Sequence, residues 1–156
     1  MRRRELLAGA TAAAALGIAG CSRAQPPQPA ARPAMLVHRD PQCGCCPAWA
    51  EQAAAAGYAV TVADTPAIAE VKQRLGVPAD LAACHTAQVE GLVIEGHVPF
   101  AEIARLRAAR PTGVIGLAVP GMPRGSPGME MPDGTQDPFT VHAFAADGRR
   151  AAFAQG

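Results

Sequence analysis

Short apolar runs and helical patterns alternate along the middle of this chain. Met35-Leu36-Val37-His38 is apolar enough for a strand buried on both faces. Tyr58-Ala59-Val60-Thr61-Val62 has the β-branched and aromatic alternation of a second strand. Between them Pro47 stands where a helix starts, because its missing amide is not needed there. The Ala-rich segment that follows runs to about Ala56, and Gly57 can take the left-handed conformation that ends it. Thr65-Pro66 reads as the N-cap and first residue of a second helix, with Ile68, Val71 and Leu75 on one face and Gly76 as its stop. This order predicts a βαβα unit and a mostly parallel sheet. Cys84 through Val89 and Leu92-Val93-Ile94 are two further strands, joined by a hairpin turn at Glu90-Gly91. Phe100, Ile103 and Leu106 mark a third helix ending before Pro111, with Glu102 and Arg105 on its solvated face. From Gly113 to Gly134 the chain is dense in Gly and Pro and holds Met122, Met129 and Met131. That stretch is too long and too poor in polar linker residues for a casual connection. Phe139 to Phe144 alternates as a last strand before a turn at Asp147-Gly148, and no internal repeat is present.

The first residues follow another pattern. Arg2-Arg3-Arg4 is a positive start, and Leu6 to Ile18 is an apolar run too short for a permanent span. Ile18-Ala19-Gly20-Cys21 resembles the lipobox of bacterial lipoproteins, and Arg3-Arg4-Glu5-Leu6-Leu7 resembles a twin-arginine export signal. The expected organisation is a signal peptide over 1–20, a lipidated Cys21 with a Pro-rich tether over 21–34, and one domain over 35–156. Ser22 to Pro33 holds nothing apolar to fix it. The alternative is an ordinary signal cleaved nearby, leaving Cys21 a free thiol. Either way the protein is expected in the cell envelope of a bacterium, on the periplasmic side; with Cys21 acylated, it touches the membrane through that lipid anchor only. The 156 residues suit one domain. The chain carries 14 basic and 13 acidic residues, and losing Arg2 to Arg4 and Glu5 leaves 11 and 12. No basic stripe remains to engage nucleic acid.

Candidate chemistry concentrates at Cys43-Gly44-Cys45-Cys46, with Cys84 at the start of a separate strand. Clustered cysteines mean redox or metal chemistry. A cysteine pair flanking two residues, after a strand and opening a helix, is the thioredoxin arrangement, whose helix end presents a thiolate. A thiol–disulfide oxidoreductase using Cys43 and Cys46 is therefore one reading. Against it, Cys45 would compete with the resolving step, and Cys84 can approach the same loop in a thioredoxin-like topology. Four thiolates suit a soft metal such as Cu(I), which closely spaced cysteines can bridge as several ions. Zinc stays open, although its structural sites usually take two separated cysteine pairs.

Asp40-Pro41-Gln42-Cys43-Gly44-Cys45-Cys46, Cys84-His85-Thr86-Ala87, Val93-Ile94-Glu95-Gly96-His97-Val98-Pro99 and Gly121-Met122-Pro123-Arg124-Gly125-Ser126-Pro127-Gly128-Met129-Glu130 together resemble the CopG-type family. These are small exported bacterial domains associated with copper resistance, and the resemblance runs from about Met35 to Phe153. It implies an α/β, thioredoxin-like fold: a central mixed sheet flanked by helices, with a long Gly/Pro/Met-rich loop. It further implies copper, as a multinuclear Cu(I)–thiolate cluster held by Cys43, Cys45, Cys46 and Cys84. Copper ions and other copper-handling proteins of the envelope are the partners that follow from it.

Secondary candidates are weaker. His85 and His97 read first as structural residues, with contacts to the metal or to the sulfurs around it as the alternative. Met122 and Met129 offer thioethers suited to Cu(I). Met131 reads as apolar filler, His38 and His142 as ordinary residues, and Glu95 as a hydrogen-bonding residue.

Overall fold

The computed structural model of the protein describes residues 31–156. The signal segment 1–20, Cys21 and the tether as far as residue 30 lie outside them. The elements run β1 (Ala34–Arg39), α1 (Cys46–Ala55), β2 (Ala59–Asp64), α2 (Ile68–Arg74), a 3-10 turn (Ala79–Leu81), β3 (His85–Val89), β4 (Leu92–Glu95), α3 (Phe100–Ala109), β5 (Val114–Ala118), β6 (Thr140–Ala145) and β7 (Arg150–Gln155). The seven strands form one sheet in the order β2-β1-β3-β4-β5-β6-β7.

Period-2 alternation gives the sheet two buried faces. Met35, Val37, Ala87, Val89, Leu92 and Ile94 point to one, where Trp49 and Ala53 of α1 and Ile103 and Leu106 of α3 cover them. On the other face Val93, Ala118 and Phe144 pack with Val77 and Leu81, beside α2 and the 3-10 turn. The first helix follows the sequence closely: Pro47 occupies its first turn and Gly57, at φ +100°, ends it. Glu90 and Gly91 both take positive φ, 48° and 77°, as a two-residue primed hairpin turn requires.

Four expectations need correction. Only β1–β2 and β4–β5 pair in parallel, so the sheet is mixed and mostly antiparallel. The short Glu90-Gly91 connection sets part of this, because a two-residue hairpin cannot join parallel strands and β3 and β4 must run antiparallel. Thr65-Pro66 does not open α2, which begins at Ile68. The Thr65 amide donates to the Arg39 carbonyl (2.8 Å), so the sheet edge claims that residue first. The Gly-rich stretch is not all loop: Val114 to Ala118 is a strand inside the sheet, and Arg150 to Gln155 adds an edge strand. Finally, the end of the tether is fixed by polar contacts. Arg32 donates to the carbonyls of Ala54 (2.6 Å) and Tyr58 (2.5 Å) at the close of α1, and the Ala59 amide donates to the Pro33 carbonyl (2.9 Å). Among the described residues no helix is long and apolar enough to cross a membrane.

Candidate metal centre

Strand register delivers the chemistry to one end of the central strands of the sheet. Arg39, the last residue of β1, pairs with His85, the first of β3. The thiol loop leaving β1 therefore meets Cys84 as it enters β3. Thr86 pairs with Glu95 at the end of β4, which places His97 beside the same point. Glu95 also pairs with Ala118 at the end of β5, and a parallel bridge between Ala83 and Gly121 brings Met122 alongside Cys84. The loop itself is a tight turn: Asp40 accepts from the amides of Gln42 (2.8 Å) and Cys43 (3.0 Å). Cys45 then caps α1 and Cys46 is its first residue. The free amides and positive dipole end of a ten-residue helix thus lie against the sulfurs.

All four expected cysteines converge, with their sulfurs within 4.8 Å of one another. Cys43 and Cys46 are joined as a disulfide, while Cys45 and Cys84 are free thiols. Cys45 Sγ lies 3.6 Å from Cys43 Sγ and 3.8 Å from Cys84 Sγ. His97 Nε2 stands between the free thiols, 3.5 Å from Cys45 and 3.2 Å from Cys84. Met122 Sδ is 3.8 Å from Cys45 Sγ, on a side chain 54% exposed. Cys43, Cys45, Cys84 and Met122 line an open depression of about 460 Å³.

Behind the sulfurs the site is buried and closely packed. Trp49, fully buried, lies with its ring 4.6 Å from that of His85 and donates from Nε1 to the Val98 carbonyl (3.3 Å). His85 Nδ1 is 3.2 Å from Cys84 Sγ, and its Nε2 has no partner among the described residues. A buried orphan N–H is the costlier arrangement, so the ring carries its proton on Nδ1 and donates it to the sulfur. His97 donates from Nδ1 to the Pro127 carbonyl (2.8 Å), which turns the lone pair of Nε2 toward the thiols. Glu95, fully buried, accepts from the Ala83 amide (2.6 Å), from Thr86 (2.6 Å) and from Lys72, and so pins the backbone that carries Cys84.

Burial dominates the electrostatics. It pushes the Cys84 thiol up to about 12, reinforced by the charge of a neighbouring Cys45 thiolate. It lowers His85 to about 3, helped by His97 and Lys72, and lowers His97 against the pull of the Pro127 carbonyl and Glu130. Without an ion the centre holds a neutral Cys84 thiol and neutral imidazoles. A thiophilic cation would have to displace protons to bind.

Of the secondary candidates, His97, Met122 and His85 reach the sulfurs. Met129 instead closes a turn, its amide donating to Ser126 O (2.8 Å) and its carbonyl accepting from the Gly125 amide (2.8 Å). His38 is engaged elsewhere, with Gln88 (3.1 Å) and Thr65 (3.4 Å), and His142 sits within β6 between Ala118 and Ala152. Trp49, Pro127 and Lys72 escaped the sequence reading. The only signal for Lys72 was its place beside Val71 on a helix flank, and a carbonyl such as that of Pro127 leaves none.

Three comparisons bear on these residues. A family model described as "Protein of unknown function, DUF411" matches residues 81–129, the span from the 3-10 turn through Cys84, His97 and Met122. A solved structure of copper resistance protein CopG, form 1, is similar at 44% identity and a TM-score of 0.74, covering 79% of this chain and 96% of that one. Form 2 of that protein is similar at 43% identity and the same TM-score, over 80% and 98%. No curated protein sequence matches. Identity at this level over nearly the whole of those chains makes this chain a member of the CopG family.

Proposed function

We propose that this protein binds copper in the cell envelope, sequestering or relaying it as cargo through Cys43, Cys45, Cys46 and Cys84, and so contributes to copper resistance. The observation that carries the reading is the convergence of four sulfurs within 4.8 Å of one another. The donor chemistry fits: thiolates and a thioether favour Cu(I) over harder ions. Closely spaced cysteines such as Cys45 and Cys46 suit bridging between several Cu(I) ions. The similarity to copper resistance protein CopG points the same way. Full use of the four thiols needs the Cys43–Cys46 bond open. Opening takes two electrons and two protons from a dithiol, which leaves as a disulfide.

Anaerobic Cu(I) titration of the reduced protein against a chromophoric chelator tests this. More than one copper per chain, lost in Cys84→Ser, is the expected result; no binding sinks the reading. We further propose delivery by the 1–20 signal and anchoring through Cys21. Mature protein without acyl mass on that cysteine would remove the anchor.

A second reading is favoured by one feature, the disulfide joining Cys43 and Cys46 at the start of α1. On this reading the pair exchanges with substrate thiols as an oxidoreductase. Cys45, 3.6 Å from Cys43 Sγ, is poised to intercept any mixed disulfide formed there. Disulfide reductase activity that needs Cys43 and Cys46 but neither Cys45 nor Cys84 would support it.

A further inference from the structure

With the Cys43–Cys46 bond closed, two of the four proposed ligands are spent, yet a coherent donor set remains. Cys45 Sγ, Cys84 Sγ and His97 Nε2 are mutually 3.8, 3.5 and 3.2 Å apart. Donors held about 2.0–2.3 Å from a shared ion stand about 3.3–3.8 Å from each other when arranged tetrahedrally. Met122 Sδ, 3.8 Å from Cys45 Sγ, adds a fourth donor from the solvent side. We infer that the disulfide form keeps its own mononuclear Cu(I) site, made of Cys45, Cys84 and His97 with Met122 as a weak fourth ligand, distinct from the four-thiolate cluster of the reduced form.

His97 is built for this role and His85 is not. The Pro127 carbonyl accepts the His97 Nδ1 proton, which fixes the tautomer and leaves Nε2 as the free donor, as outer hydrogen bonds do for metal-bound imidazoles. Nε2 touches both free thiols. His85 touches Cys84 alone and lies wedged against Trp49. Two sulfurs and one imidazole in a face, with a thioether beyond it, is a soft set that discriminates against hard divalent ions.

The inference rests on the copper reading above, and its test separates the two. Wild-type protein with an intact disulfide, and the Cys43→Ser/Cys46→Ser variant, are each titrated anaerobically with Cu(I) from a competing chelator. Mass measured afterwards verifies that the bond in the wild type has survived. The expected result is one copper per chain in both, with sulfur and nitrogen scatterers at the copper X-ray absorption edge. His97→Asn should weaken affinity at least tenfold and remove the nitrogen, whereas His85→Gln leaves the nitrogen signal in place. Near-ultraviolet circular dichroism establishes that each variant is folded. No copper in the disulfide form, while the reduced protein loads several, overturns this inference and spares the cluster. One copper held equally well after His97→Asn also overturns it. Absence of binding in both redox forms removes both readings.

Discussion

His85 and His97 meet edge to face with ring centroids 5.1 Å apart, and their environments divide the work between them. His97 leans on a loop carbonyl and presents a lone pair to the thiols, whereas His85 is sealed behind Cys84 with one nitrogen unpartnered among the described residues. That burial has a measurable consequence. The His85 imidazole stays neutral until about pH 3 in the folded protein, whereas in the unfolded chain it takes a proton near 6.5. Its contribution to stability is therefore intact above pH 6.5 and lost as pH falls from 6.5 toward 3. In the metal-free protein, His85→Gln is expected to flatten that decline by about one proton's worth of slope. Urea unfolding at a series of pH values reads it directly, and unchanged slopes would mean His85 is protonated in place. At this scale the sequence is informative about cysteine, because three thiols in four positions have few ordinary explanations. It is poorly informative about His97 and Met122. Their closeness to Cys45 depends on the β3–β4 hairpin and on the Ala83–Gly121 bridge, neither of which marks the residues themselves.

Between β5 and β6 the chain forms a strap, residues 119–139, that does more positioning than its composition suggests. Arg124 and Asp137 tie its two arms together, and Glu130 fastens it to α1 through Gln52 (2.8 Å). At Gly128, φ is +81° and an added Cβ would stand 2.8 Å from the Trp49 amide nitrogen. The strap thus lies directly on the start of α1, one residue from the carbonyl that orients His97. Gly128→Ala should destabilise the protein by about 1–3 kcal/mol, through overpacking and left-handed strain together. It should also loosen copper in the disulfide form. Gly134→Ala, also at positive φ but in open space, isolates the strain alone, at about 1 kcal/mol. Chemical denaturation of the pair separates the two causes, and equal losses would show that the strap does not bear on the helix. Legibility differs sharply between elements. The strand, helix and hairpin from Met35 to Ile94 announce themselves by alternation, by Pro47 and by Glu90-Gly91. β5 was hidden because Gly116 interrupts its apolar run. The structure gives the reason: a Cβ there would lie 2.1 Å from the Val93 carbonyl oxygen and strike Phe144, so glycine marks close approach inside the strand and not its end.

At the scale of the whole molecule, the candidate centre exists only when the fold does. Its sulfurs and imidazole come from the ends of β1, β4 and β5 and from the start of β3, with α1 supplying the helix end beside them. Metal binding and folding are therefore linked, and copper is expected to raise the melting temperature with the logarithm of its free concentration once that exceeds the dissociation constant. Calorimetry at stepped Cu(I) activities checks this, and a constant melting temperature would place the copper outside the native fold. The exposed thioether of Met122 carries the linkage into time. In the proposed site it would be the weakest donor and the most exposed one, so an incoming thiolate could take its place before any other contact lets go. Handover would then proceed by ligand replacement. Its observed rate should climb with acceptor concentration, where unassisted release would level off at a fixed value. Met122→Leu is expected to change that slope while leaving the equilibrium affinity within about tenfold, since a thioether contributes little beside two thiolates.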